Sequence, residues 1–191
     1  MPTVMPTVTP ARHDHVDEIV ALVNEVYLAT EGPVWKPGTT RTSRAEVTAS
    51  VETGRVLVAL HDEQLVGTVT IHVEGSTASF GMLGVRPSVA GRGLGSTLVR
   101  AAEEHARAAG AGVMEIDVLH PAQGTLPAKQ KLAGWYPRLG YELTGSTTPE
   151  EADPALAEEL STPCRLDLYR RHLDPDFHDI HDIHDEEPTP R

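Results

Sequence analysis

A chain of 191 residues with 39% hydrophobic content has material for one domain core and little for a second. Its formal charge of −12 argues against a nucleic-acid partner, because phosphate binding wants a basic face that releases counterions. No run approaches the ~18 continuous apolar residues of a membrane span, and the opening Met1-Pro2-Thr3-Val4 has neither a basic start nor an apolar stretch behind it, so a soluble, cytoplasmic chain with no membrane partner is expected.

Taken in chain order, Thr7-Val8-Thr9 reads as a short first strand ended by Pro10. From Asp14 onward Val16, Ile19, Val20, Val23, Val26 and Tyr27 fall on one helical stripe, which predicts an amphipathic helix over 15–28. Residues 31–42, with two prolines, two glycines and Trp35, read as a loop; Ser43 with Glu46 forms a capping box for a second helix ending at Gly54. Strands are expected at 56–60 and 65–73, joined as a hairpin through residues 61–64, and at 77–85 before Pro87. The pattern then changes: Leu94, Leu98, Ala101, Ala102, His105 and Ala109 predict a helix, and Val113 to Leu119 a strand, so this strand-helix-strand unit should pair in parallel through a right-handed crossover. A helix at 128–139 stopped by Gly140, strands at 141–144 and 164–169, and a polar loop with a short helix near 154–159 complete the reading. The single cysteine, Cys164, has no partner for a disulfide and no metal-ligand spacing around it, which suits a packed thiol in a reducing compartment.

The informative feature is the turn Gly91-Arg92-Gly93-Leu94-Gly95-Ser96. Glycines permit positive φ and close approach, so successive N–H groups at a helix N-terminus can converge on a pyrophosphate. A phosphate loop of the Gly-Lys-Ser/Thr type needs a lysine that is missing before Ser96, and a dinucleotide turn needs G-x-G-x-x-G, whereas Gly91, Gly93 and Gly95 alternate. Leu83-Gly84-Val85-Arg86-Pro87, the glycine turn, and Leu98 with Ala101 together resemble the acyl-CoA loop of the GCN5-related N-acetyltransferases (GNAT). Trp135-Tyr136-Pro137-Arg138-Leu139-Gly140-Tyr141 is similar to that family's second signature. In element order the resemblance spans residues 7–170, and in motif detail 77–144. One departure stands out: the family commonly has Gln or Arg three residues before the middle glycine, and here that residue is Ala90, so side-chain help to the pyrophosphate falls to Arg92 or elsewhere.

The resemblance implies a mixed, mostly antiparallel α/β (α+β) sheet of six to seven strands, with a splayed parallel central pair and about four flanking helices. It implies acetyl-CoA as co-substrate, bound by Leu83, Gly84, Val85 and Gly91 through Ser96, with no metal. A bulge is expected in the strand before the turn; Gly84 is compatible with it, or merely relieves crowding. Tyr136 matches the family's tyrosine that protonates the departing thiolate, against the alternative of a packing tyrosine. Alternation places Glu115 and Asp117 on the strand face opposite Met114, Ile116 and Val118, as carboxylates that serve as base or simply face solvent; His120 and His72 are the alternatives. Glu31, Trp35 and His120 are the expected acceptor-side residues, with Trp35 either stacking on substrate or anchoring its loop.

The domain is expected over 1–173, followed by an acidic tail, 174–191, whose seven acids and one arginine carry half of the net charge. The tail's His178, His181 and His184 invite a metal only if helical, and a solvated, disordered tail is the plainer expectation. Because the first four residues recur, Met5 is an alternative start. The expected activity is transfer of acetyl from acetyl-CoA to a primary amine of a small molecule, by direct attack in a ternary complex. A non-catalytic CoA-binding sensor and a protein or peptide N-acetyltransferase are the alternatives, and a homodimer is compatible with the family.

Overall fold

Local signals account for most elements of the computed structural model, which describes residues 6–173; the His/Asp tail and Met5 lie outside the described residues. Strands β1 (Thr7–Pro10), β2 (Val56–His61), β3 (Gln64–Glu74) and β4 (Thr77–Val85) run antiparallel in sequence order. The β2–β3 hairpin closes on Asp62 and Glu63, both with positive φ (49° and 63°), the combination whose twist suits a two-residue turn. Helix α1 (Val16–Glu31) follows β1. Helix α2 (Arg44–Glu52) carries the expected capping box: Ser43 Oγ accepts from Glu46 N–H at 3.3 Å, and Glu46 Oε2 accepts from Ser43 N–H at 2.7 Å.

After β4 come α3 (Leu94–Ala108), β5 (Val113–Pro121), α4 (Pro127–Trp135), β6 (Glu142–Thr147), the short helices α5 (Pro149–Ala152) and α6 (Pro154–Glu158), and β7 (Cys164–His172). The sheet has seven strands in the order β1-β2-β3-β4-β5-β7-β6, and β4–β5 is its parallel pair. That ladder covers only Thr77–Ser79 against Val113–Glu115, although both strands run on to Val85 and Pro121, so the centre of the sheet opens toward their C-terminal ends. Mixed topology, strand number and the parallel pair agree with the sequence reading.

Period-two alternation splits the core between two sheet faces. On β2, Leu57 and Ala59 join Leu98, Ala102 and Ala106 of α3, while Val56 and Val58 join Ile19, Leu22 and Val23 of α1. Buried Glu103 of α3 accepts from Tyr141 Oη at 2.8 Å and from Arg171 Nη1 at 2.9 Å, which ties α3 to β7. The main differences from the sequence reading lie in three places. The helix expected to reach Leu139 ends at Trp135 and continues as a tight 3-10 turn, Pro137–Leu139, because Pro137 has no N–H to extend the α-helical ladder. β6 and β7 extend beyond the expected residues because they pair with each other, a long-range bond that periodicity does not report. Residues 149–158 form two short helices instead of one, each with its own side-chain cap, from Thr148 and Asp153.

Candidate active site

The glycine turn adopts the conformation its composition allows. Gly91 and Gly93 have φ of 79° and 82°, the left-handed region that glycine enters without a Cβ penalty. Gly93 is the N-cap of α3 and offers no side-chain acceptor. The first amide bond of the helix runs from Thr97 N–H to Gly93 O at 3.0 Å, and the six N–H groups from Gly91 to Ser96 have no acceptor among the described residues. A helix ordinarily leaves four such donors at its N-terminus, and the turn lengthens the run at the positive end of the helix dipole. Gly95 has a different duty: a Cβ there would sit 3.4 Å from Trp135 Cζ2, so α4 closes against the start of α3. Exposed Arg92 is the cationic side chain within the turn, and Ala90 contributes none.

One strand joins this turn to a cavity. The β3–β4 register passes from Thr68↔Gly84 to Thr70↔Gly81, so Met82 and Leu83 stand against the single residue Val69. The bulge therefore sits at Met82–Leu83, and Met82 takes the left-handed φ of 50°. Gly84 is paired in the ladder, with ordinary van der Waals space around its Cα, so its absent side chain is not what makes the bulge. No residue type marks Met82 for this conformation in the sequence. The bulge turns Leu83 into a cavity of about 400 Å³ between α1 and α4, lined also by Tyr27, Glu31, Lys129, Leu132 and Tyr136. Met82 lines a separate one beneath α1 and α2, with Thr70 and His72. His72 Nδ1 lies 3.2 Å from Arg55 Nη1, and burial together with that cation lowers its pKa.

Tyr136 stands at the Pro137 break, its ring packed 5.1 Å from Trp135 and 5.5 Å from Tyr169. Its hydroxyl has no hydrogen-bond partner among the described residues, and burial raises its pKa above the usual phenol range, so it stays protonated at neutral pH. Tyr27, across the cavity on α1, is pushed up to about 12 by burial and then by Glu31, with Arg41 and the Leu83 backbone pulling the other way.

Glu31 also reaches this cavity, as half of a buried ion pair with Lys129 Nζ; its second oxygen accepts from Trp35 Nε1 at 3.1 Å. Trp35 thereby anchors its loop, helped by a β-bridge to Leu160. His120 is buried on β5 with Nε2 3.2 Å from Asp167 Oδ2, though not aligned for a hydrogen bond, and burial lowers its pKa against the pull of Asp167. Glu115 and Asp117 are not brought to the Tyr136 cavity. Strand alternation sends them to the face of β5 opposite Ile116 and Val118, which share the core cluster of Tyr136, and Glu115 is held by Arg170 Nε at 2.9 Å. Asp117 is exposed, and its pKa is raised by partial desolvation and by Glu115.

Tyr27, Arg41 and Lys129 escaped the sequence reading. Tyr27 lies on the apolar stripe of α1 and reads as core, Arg41 sits in a polar loop, and nothing local pairs Lys129 with a glutamate 98 residues away. Among the described residues no group of three His, Cys, Asp or Glu side chains is arranged to hold a metal, and no helix is long and apolar enough to cross a membrane. Cys164 is free and buried, its thiol pKa raised chiefly by burial.

Comparison with known proteins agrees with this geometry. The fold is similar to yncA from Salmonella typhimurium, solved with its cofactor acetyl-CoA (TM-score 0.67, 18% identity, 98% of this chain and 99% of that one). It is also similar to a Drosophila melanogaster polyamine N-acetyltransferase that catalyses the formation of N-acetylagmatine (TM-score 0.67, 16% identity, 87% of this chain and 99% of that one). A third likeness is to N-acetylglutamate synthase from Neisseria gonorrhoeae, complexed with coenzyme A and N-acetyl-glutamate (TM-score 0.65, 14% identity); it covers 90% of this chain but only 36% of that larger one. A search of curated protein sequences finds no match. Residues 20–141, which contain the glycine turn, the bulged strand and Tyr136, match the family described as Acetyltransferase (GNAT) family, and the chain belongs to it.

Proposed function

We propose that the protein transfers the acetyl group of acetyl-CoA to a primary amine of a small molecule, by direct attack within a ternary complex. The observation that carries this reading is the run of six N–H groups from Gly91 to Ser96 with no acceptor among the described residues, one turn beyond a strand that delivers Leu83 to the cavity of Tyr136. These donors fit a diphosphate. Bound acetyl-CoA supplies an acetyl group activated as a thioester. The chain's own residues do the rest: the amides of the turn hold the diphosphate, Leu83, Gly84 and Val85 orient the thioester end, and Tyr136 Oη gives a proton to the departing sulfur.

Burial keeps Tyr136 protonated, as an acid requires, but also makes it a weaker acid. The positive charge that develops on the amine nitrogen as its C–N bond forms offsets that effect. The amine's proton goes to water in this reading, since neither Glu115 nor Asp117 lines the Tyr136 cavity and Glu31 is engaged by Lys129. The acceptor loop is tied down by Lys36 N–H to Glu159 O at 2.9 Å, which supports a small molecule over a polypeptide.

A thermal-shift series with acetyl-CoA, CoA and NAD tests the co-substrate: the midpoint rises with the first two and not with NAD, and indifference to both CoA compounds overturns the reading. Thiol release from acetyl-CoA across amines, amino acids, aminoglycosides and peptides tests the transfer. Binding without release for any amine would make the chain a CoA sensor.

A further inference from the structure

A second cavity, of about 260 Å³, shares Tyr27 as a wall with the first and is lined by the loop between α1 and α2. Two cations line it, Lys36 and Arg41, and no carboxylate does, in a chain of net charge −12. Lys36 Nζ donates to the Glu158 carbonyl. Arg41 has no carboxylate partner among the described residues. Its guanidinium lies 5.2 Å from the ring centroids of both Tyr27 and Trp35, and its Nε is buried with no hydrogen-bond partner. The backbone beneath it is pinned, with Arg41 N–H donating to Asn24 Oδ1 at 2.7 Å.

A half-buried guanidinium with no ion-pair partner among the described residues has donors to offer a ligand, and a fold that holds it between two aromatic faces has fixed its orientation in advance. The planar fork of arginine matches a carboxylate. The buried Lys129–Glu31 pair supports the arrangement from behind, because Glu31 accepts from the indole of Trp35 and so sets the ring that carries Arg41. On its other side Tyr27 lines the cavity of Leu83 and Tyr136. We infer that Arg41 receives a carboxylate of the acceptor, so that the acceptor is an amine that also carries a carboxylate, of which amino acids are the simplest members. This rests on the transferase reading and adds the class of acceptor to it.

The test compares each of the twenty L-amino acids with its carboxamide in the thiol-release assay, for the wild-type protein, Arg41→Gln and Arg41→Lys. At least one free acid should exceed its amide tenfold or more in kcat/KM; the ratio should fall to near one in Arg41→Gln and be partly kept in Arg41→Lys, with acetyl-CoA affinity and Tm reporting that both variants fold. Equal use of acid and amide, a preference for amines without a carboxylate, or an unchanged ratio in Arg41→Gln overturns the inference. Calorimetry with N-acetyl amino acids and their amides, on the CoA-saturated protein, reads the same preference without turnover. If acetyl-CoA binds but nothing is acetylated, the transferase reading fails, and calorimetry alone decides Arg41: tighter binding of acids, lost in Arg41→Gln, upholds its role, whereas equal binding or none overturns it.

Discussion

The two ends of the site are built in opposite ways. The turn from Gly91 to Ser96 is made of contiguous backbone, and the groups proposed to bind there are amides that any sequence carries, exposed by two left-handed glycines. The proposed acceptor end is made of side chains from α1, the loop after it, β4 and α4, brought together over long chain separations and held by the buried Glu31–Lys129 pair. A binding end that uses only backbone tolerates sequence change and keeps one ligand. An end made of side chains can be respecified by single substitutions. A family with one co-substrate and many acceptors needs that division of labour.

The largest expected effect breaks the chemistry while sparing both ends. Tyr136→Phe should lower kcat by about 10²–10⁴, the usual contribution of a positioned acid, with little change in acetyl-CoA affinity by calorimetry. Because its hydroxyl has no hydrogen-bond partner among the described residues, stability should change little; a kcat within a few-fold of wild type would remove Tyr136 from the mechanism. Next, Lys129→Met should cost about 3–5 kcal/mol in urea unfolding, since it strands a buried carboxylate, and adding Glu31→Gln should recover most of the loss. If the single variant is as stable as wild type, the acceptor end does not depend on that pair.

Gly93→Ala sharpens the contrast from the other side. It forces a Cβ residue to φ 82°, at a strain of about 1–3 kcal/mol. Acetyl-CoA Kd should rise roughly tenfold by calorimetry, while Gly75→Ala, strained at φ 59° in the distant β3–β4 hairpin, should leave Kd unchanged. Equal effects would mean that the turn matters only for stability. The smallest effect is expected at Asp117→Asn, within about two- to threefold in kcat/KM, since a general base would contribute ~10²-fold or more. Across a series of amines the pH-rate profile should then follow the amine's own pKa.

How much of this was legible depends on the range of the interaction involved. The elements of the β2–β3 hairpin, the capping box at Ser43 and the helix entry at Gly93 were readable because each is written within a few residues, in turn chemistry and periodicity. So was the position of Tyr136, the proposed acid, one residue before the proline that ends its helix. The bulge was expected in the right strand but its seat was not, because Met82 is driven to positive φ by the pairing of β4 with β3 and not by its own preference. Glu115 and Asp117 share one face, as alternation predicts, yet the sequence does not say whether that part of the face borders the cavity. That depends on where the β4–β5 ladder stops and on how α1 and α4 close over the gap.

By itself, then, the sequence determined the order of elements, the left-handed glycine turn at the start of α3 and the family, because those depend on local conformational preference and on glycine at named positions. The tertiary structure decided which side chains share the cavity, that Glu31 is paired with Lys129, that Trp35 anchors and does not stand free, and that Arg41 has no ion-pair partner among the described residues. These are matters of distance and desolvation between residues far apart in the chain, and only packing sets them.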